Sequence, residues 1–221
     1  MSELGYGLER SQESVLATNK VLKNTYMLLA MTLILSAFTA AVSMAVGIGQ
    51  GLALILMLVS FGLLFWVHKA AESSQGIVAI FAFTGCLGAS LGPMLSYYVS
   101  ANGPGIVLQA LGGTGLIFFT LSGYALTTRK DFSFMRGFLF TGLIVVIVGM
   151  VLNIFLNIPI LSLIISAAVI MIMSGLILFD TSRIINGGET NYIRATVSLY
   201  LSLFNIFVHL LRLISALSGR D

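Results

Sequence analysis

The chain has 221 residues, 58% of them hydrophobic and 9% charged, with a formal net charge of +3. Soluble domains carry about 25% charged residues, and the basic residues here form no patch or arm, so a soluble globular fold and a nucleic-acid role are both excluded. The one cysteine, Cys86, lies in an apolar segment, which rules out an internal disulfide and any metal site built on thiolates.

Asp, Glu, Lys and Arg are absent from residues 25–67, 73–128, 137–179 and 195–211. A helix needs roughly 20 apolar residues to cross a bilayer. Each of the three long charge-free runs therefore holds a pair of spans, and the last holds one. The breaks within the pairs are GIGQG (47–51), ANGPG (101–105) and LNIP (156–159), clusters of turn-forming residues at the depth where a helix leaves the membrane. Seven helices are predicted, at about 25–46, 51–68, 77–100, 106–127, 134–156, 160–184 and 192–214. The apolar runs are continuous and do not alternate, which excludes a β-barrel.

Residues 1–24 read as a mildly charged tail, and residues 25–217 as one seven-helix membrane domain with no separate soluble unit. The first apolar run exceeds the roughly 7–15 residues of a signal-peptide core, so it reads as a retained first span. Arg10, Lys20 and Lys23 precede that span. Lys69, then Arg129, Lys130 and Arg136, then Arg183 and Arg194 fall in alternate connections, whereas the turns 47–50, 101–105 and 157–159 carry no basic residue. By the positive-inside rule the N-terminus is cytoplasmic and the C-terminus, with Arg212 and Arg220, lies outside. In the third span Gly85, Gly88 and Gly92 form small-residue steps that permit close helix approach. Pro93 predicts a kink whose freed carbonyl a neighbouring hydroxyl can meet; packing alone and a functional hinge both remain open there.

Enzyme chemistry finds no support. HExxH, Walker and dinucleotide-binding patterns are absent, and no serine sits in the strained Gly-x-Ser-x-Gly turn of a nucleophile, since the one match, at residues 88–92, lies inside an apolar span. His68 and His209 fall at opposite membrane faces and cannot share a metal. No cofactor is expected.

The last span is different. Arg194, Ser198, Ser202, Asn205, His209 and Arg212 recur at steps of three and four and share one helical face. A polar stripe through hydrocarbon faces a bundle interior or a wet cavity, so this span is expected to be central. An inert hydrogen-bonded seam and a functional cavity are both compatible with the pattern. Asp180 ends the third charge-free run. Folding the 6–7 hairpin about Gly188 puts Asp180 level with about position 196. Arg194 is then its expected neutralising partner and Arg183 a second, and an ordinary interfacial ion pair is the simpler alternative.

The segments HKAAESSQG, FAFTGCLGASLGPML, ALGGTGLIFF, TTRKDFSF and LILFDTSRIINGGETNYIRATVSLYLSLFNIF, together with the seven-span layout, resemble the Bax inhibitor-1 (transmembrane Bax inhibitor motif) family over residues 18–217. NKVLKNTYMLL, TTRKD and GGETNYIRATVSLY point within it to a short bacterial member that modulates the membrane AAA protease FtsH. The resemblance implies six helices around a central seventh and a bacterial inner-membrane location. It also implies association with FtsH and its HflK–HflC partners, and restraint of the proteolysis of membrane proteins. In other members, carboxylates on the last two helices form a pH-responsive latch on a calcium leak, with transient Ca2+ as the permeant ion. The first of that pair falls on Asp180. The second falls on Ser202, where this chain reads LYLS. A serine cannot share a proton between two like charges, and it lies about six residues, roughly 9 Å, deeper than the level of Asp180.

Overall fold

The computed structural model describes residues 2–219, with side chains from residue 16 onward; the side chain of Arg10 and all of Arg220 fall outside these limits. Among the described residues there is no strand. The chain is an all-α bundle of α1 (Ser2–Val46), α2 (Gln50–Ala70), α3 (Gln75–Ser90), α4 (Gly92–Asn102), α5 (Gly105–Thr128), α6 (Arg136–Leu156), α7 (Pro159–Ile185) and α8 (Tyr192–Ser218), with a 3-10 turn at Ser133–Met135. α3 and α4 together make one crossing, so seven helical segments have the length and apolarity to span a membrane.

The helix ends follow the local sequence. α4 stops where Gly103 takes a φ of +81°, a backbone geometry that disfavours a Cβ. Asn157, with φ 50°, ends α6, and Pro159 opens α7 at a position where its missing N–H costs nothing. α1 is longer than the predicted span and runs back to Ser2. Between Leu8 and Val46 there is neither Gly nor Pro, and Leu, Glu, Gln, Ala and Lys are good helix formers. Nothing local halts the helix at the edge of its charge-free run, which begins at residue 25.

The third crossing breaks at Leu91, between α3 and α4. Pro93 has no N–H for the carbonyl of Ala89 four residues back, and the hydroxyl of Ser43 on α1 donates to that carbonyl at 2.7 Å. α1 and α3 come close enough for this because Gly88 faces the backbone of Ser36. A Cβ at Gly88 would lie 2.5 Å from the Ser36 carbonyl oxygen, whereas one at Gly85 would meet Leu35 at an ordinary 3.6 Å.

α8 packs against α1, α2, α3, α4, α5 and α7, and α6 packs on α7. Its flanks Leu199, Tyr200, Ile206 and Leu211 are among the most deeply buried residues of the chain. Two ties hold the end that carries Lys69, Arg129, Arg183 and Arg194, called here the charged end. Asn191 caps α8 by accepting from the Ile193 and Arg194 N–H groups, while its amide donates to the Ala71 carbonyl at 2.8 Å. Ser182 donates to the Lys130 carbonyl and accepts from the Phe132 N–H, which fastens the α5–α6 connection to α7.

Candidate functional site

The polar face of α8 is turned toward α7 and is held to it at two depths. Near the charged end, Ser198 donates to the Asp180 carboxylate, on a helix that continues past Asp180 to Ile185. At the other end, His209 Nδ1 lies 3.0 Å from the Ser166 hydroxyl. Ser166 already donates to the Ser162 carbonyl at 2.9 Å. It therefore accepts from His209, and the proton sits on Nδ1. Asp180 and His209 are both buried, at 7% and 9% exposure.

Between these contacts the stripe is less connected. Asn205 donates back to the Leu201 carbonyl of its own helix at 2.8 Å. Ser202 is buried, and among the described residues the Asp180 carboxylate bonds Ser198 and not Ser202. The hairpin count that puts Ser202 too deep for direct contact agrees with this geometry.

Of the two cations expected beside Asp180, Arg183 is there and Arg194 is not. Arg194 lies on the exposed side of the first turn of α8 and pairs with Glu72 at 3.0 Å. The stripe spirals out of the interior here, because α8 begins at Tyr192 and its first turn faces the α2–α3 connection. Arg183, one turn along α7, has its guanidinium 4.0 Å from Asp180, reaches Glu189 at 3.4 Å, and lies over the Phe179 ring at 5.6 Å from its centroid. The carboxylate thus has one hydroxyl donor on α8 and one loosely held cation on its own helix. Such a site can hold a proton or a weakly bound cation, and it lacks the second carboxylate that a shared-proton latch needs. Among the described residues no three His, Cys, Asp or Glu side chains come together as a metal site.

A second polar cluster was not expected. On the α8 face away from α7, Tyr200 lies 2.7 Å from the Ser36 hydroxyl, which donates to the Thr84 carbonyl at 2.8 Å. Tyr200 is therefore the donor to Ser36, and one chain of hydrogen bonds joins α8, α1 and α3. One turn earlier, Thr196 reaches the Thr25 carbonyl on α1 at 3.2 Å. Periodicity misses this cluster because Tyr200 sits among Leu199, Leu201 and Leu203 and breaks no apolar run. The legible signal was its phenol, which needs a partner when buried.

A model of the family described as inhibitor of apoptosis-promoting Bax1 matches residues 18–219. A protein of Escherichia coli K12 described as the modulator of FtsH protease YccA is 53% identical over 208 residues, covering 94% of each chain. A membrane protein of Vibrio cholerae is 52% identical over 213 residues, covering 96% of each. A protein of Pseudomonas aeruginosa is 40% identical over the full length of both chains.

Proposed function

The chain belongs to the Bax inhibitor-1 family, and on that footing we propose that it is a non-catalytic modulator of an FtsH-type membrane protease, restraining its action on membrane proteins. The observation that carries this reading is the 53% identity, over 94% of both chains, to the E. coli modulator. In this reading the protein resides in the bacterial inner membrane with its N-terminus inside and its C-terminus outside. Six helices are arranged about the last, and FtsH with HflK–HflC is the partner assembly. The tail 1–24 serves as the cytoplasmic handle and the bundle 25–217 as its anchor. α1 supports the idea of a handle: it stays helical through the tail, from Asn24 back to Ser2. A helical projection on a tightly packed bundle suits a client that a protease engages but processes slowly. In membranes from cells expressing the chain, FtsH should co-purify with it, and the half-life of an FtsH membrane substrate should shorten when the gene is removed. Neither effect would survive if the reading were wrong.

A second reading is a pH-influenced calcium or cation leak along α8, using Asp180, Arg183, Ser198, Ser202, Asn205 and His209, with Arg194 at its mouth. The Ser198–Asp180 contact inside the span favours it. Proteoliposomes loaded with a calcium dye test it: Asp180→Asn should change the pH dependence of flux, and Ser202→Asp should strengthen it. Absence of flux at every pH removes this reading.

A further inference from the structure

α1 and α5 both pack on α8, and their backbones stay apart. Between them lies a slot of about 460 Å³ that is almost wholly apolar. Ala30, Ala37 and Ala41 of α1 form one wall, Leu111 and Gly115 of α5 the other, and Phe204 of α8 lies in the floor. The slot runs from Tyr26 to Met44, about 27 Å along α1, which is nearly the depth of the hydrocarbon core. An unfilled slot of this size forfeits dispersion contacts along its whole lining, so in a bilayer it has an occupant.

Two features say which. Near the charged end the Tyr26 and Phe118 rings reach across the slot, with centroids 5.7 Å apart. That bridge blocks a body as wide as a helix, about 10–12 Å, but lets a single flexible chain pass over it. Both walls also end in cations. Lys23 is one turn before Tyr26 and two before Ala30, so it continues the stripe of α1 that faces the slot, and Arg129 stands about five turns beyond Leu111 at the end of α5. Both are exposed, and the nearby Asp131 accepts from the Ser133 N–H of its own loop at 2.8 Å. A phosphate and a hydrocarbon chain would meet the cations and the slot in that order.

We propose that the slot between α1 and α5 binds one anionic phospholipid of the leaflet at the charged end, with its phosphate between Lys23 and Arg129 and one acyl chain lying over α8. The site is separate from the Asp180 site and does not depend on the protease reading.

Native mass spectrometry of the purified full chain tests it, with phosphatidylglycerol and phosphatidylcholine of equal chain length as probes. One phosphatidylglycerol should be retained under conditions that strip detergent, with at least a tenfold preference over phosphatidylcholine. Lys23→Gln with Arg129→Gln should bring the preference close to one. Filling the slot from either wall, by Ala37→Trp or Gly115→Leu, should cut retention of both lipids at least tenfold. A Cβ at Gly115 meets only Phe119, at 3.9 Å, so the leucine has room, and an unchanged melting temperature confirms that the fold survives. Retention that ignores both filling variants would mean lipid bound elsewhere on the surface and would overturn the proposal. So would equal retention of the two lipids by the unsubstituted chain, or a second copy of the chain retained in place of lipid.

Discussion

Replacing Gly88 by alanine adds one methyl group at the closest approach of α1 and α3. The new Cβ would sit 2.5 Å from the Ser36 carbonyl oxygen and 2.6 Å from its Cα, both rigid backbone atoms. Ordinary contact begins near 3.4 Å, so the helices must part by about 0.9 Å. The Ser36 hydroxyl belongs to that same residue of α1 and donates across the interface to the Thr84 carbonyl of α3 at 2.8 Å. A displacement of this size is enough to break that bond as well. Overpacking of a dense interface costs about 1–3 kcal/mol, and one lost buried hydrogen bond about 1 kcal/mol more. At about 2–4 °C per kcal/mol for a chain of this length, the melting temperature in mild detergent should fall by roughly 4–16 °C. Gly85→Ala is the internal control. One turn away on the same helix, its Cβ meets the side chains of Leu35 at 3.6 Å and Thr39 at 3.9 Å, both ordinary contacts, and the gain in helix propensity, about 1 kcal/mol at most, should leave stability level or slightly raised. Thermal unfolding of both variants decides the matter. Equal melting temperatures would refute the claim that Gly88 sets the α1–α3 distance.

Three further outcomes are expected. Ser36→Ala should destabilise more than Tyr200→Phe: the first leaves the buried phenol only a long 3.4 Å reach to the Thr84 carbonyl and removes that carbonyl's 2.8 Å donor, while the second removes one bond of about 1 kcal/mol and leaves Ser36 donating to Thr84; thermal unfolding ranks them. Ser43→Ala should cost about 1 kcal/mol, because the Ala89 carbonyl that Pro93 leaves open loses its only side-chain donor among the described residues; an unchanged melting temperature would show that the kink does not need it. Arg194→Ala should cost less than about 1 kcal/mol, since its pair with Glu72 is exposed on both sides. Arg183→Ala should lower the melting temperature further, because it removes at once the cation beside Asp180, Glu189 and Phe179; equal effects would return Arg194 to the Asp180 site.

The sequence by itself determined the helical class and the count of membrane-length spans. Spans, turns and helix ends are set by local composition: a long run without charge must leave water, and Gly103, Asn157 and Pro159 stop or start a helix through their own backbone preferences. The polar face of α8, the close approach at Gly88 and a hydroxyl under Pro93 were likewise legible, because each is a matter of helical period or of one missing N–H. Tertiary structure decided the partners. Whether Asp180 meets Arg194 or Arg183 depends on where α8 begins and how its first turn faces the α2–α3 connection, and no count along a hairpin carries that information. Tyr200 found Ser36 and Thr84 across 164 and 116 positions of sequence. The slot between α1 and α5 exists because both helices lean on α8 while their backbones stay apart. Local preferences act over a few residues, whereas these contacts depend on the positions of three helices at once, which only the packed bundle defines.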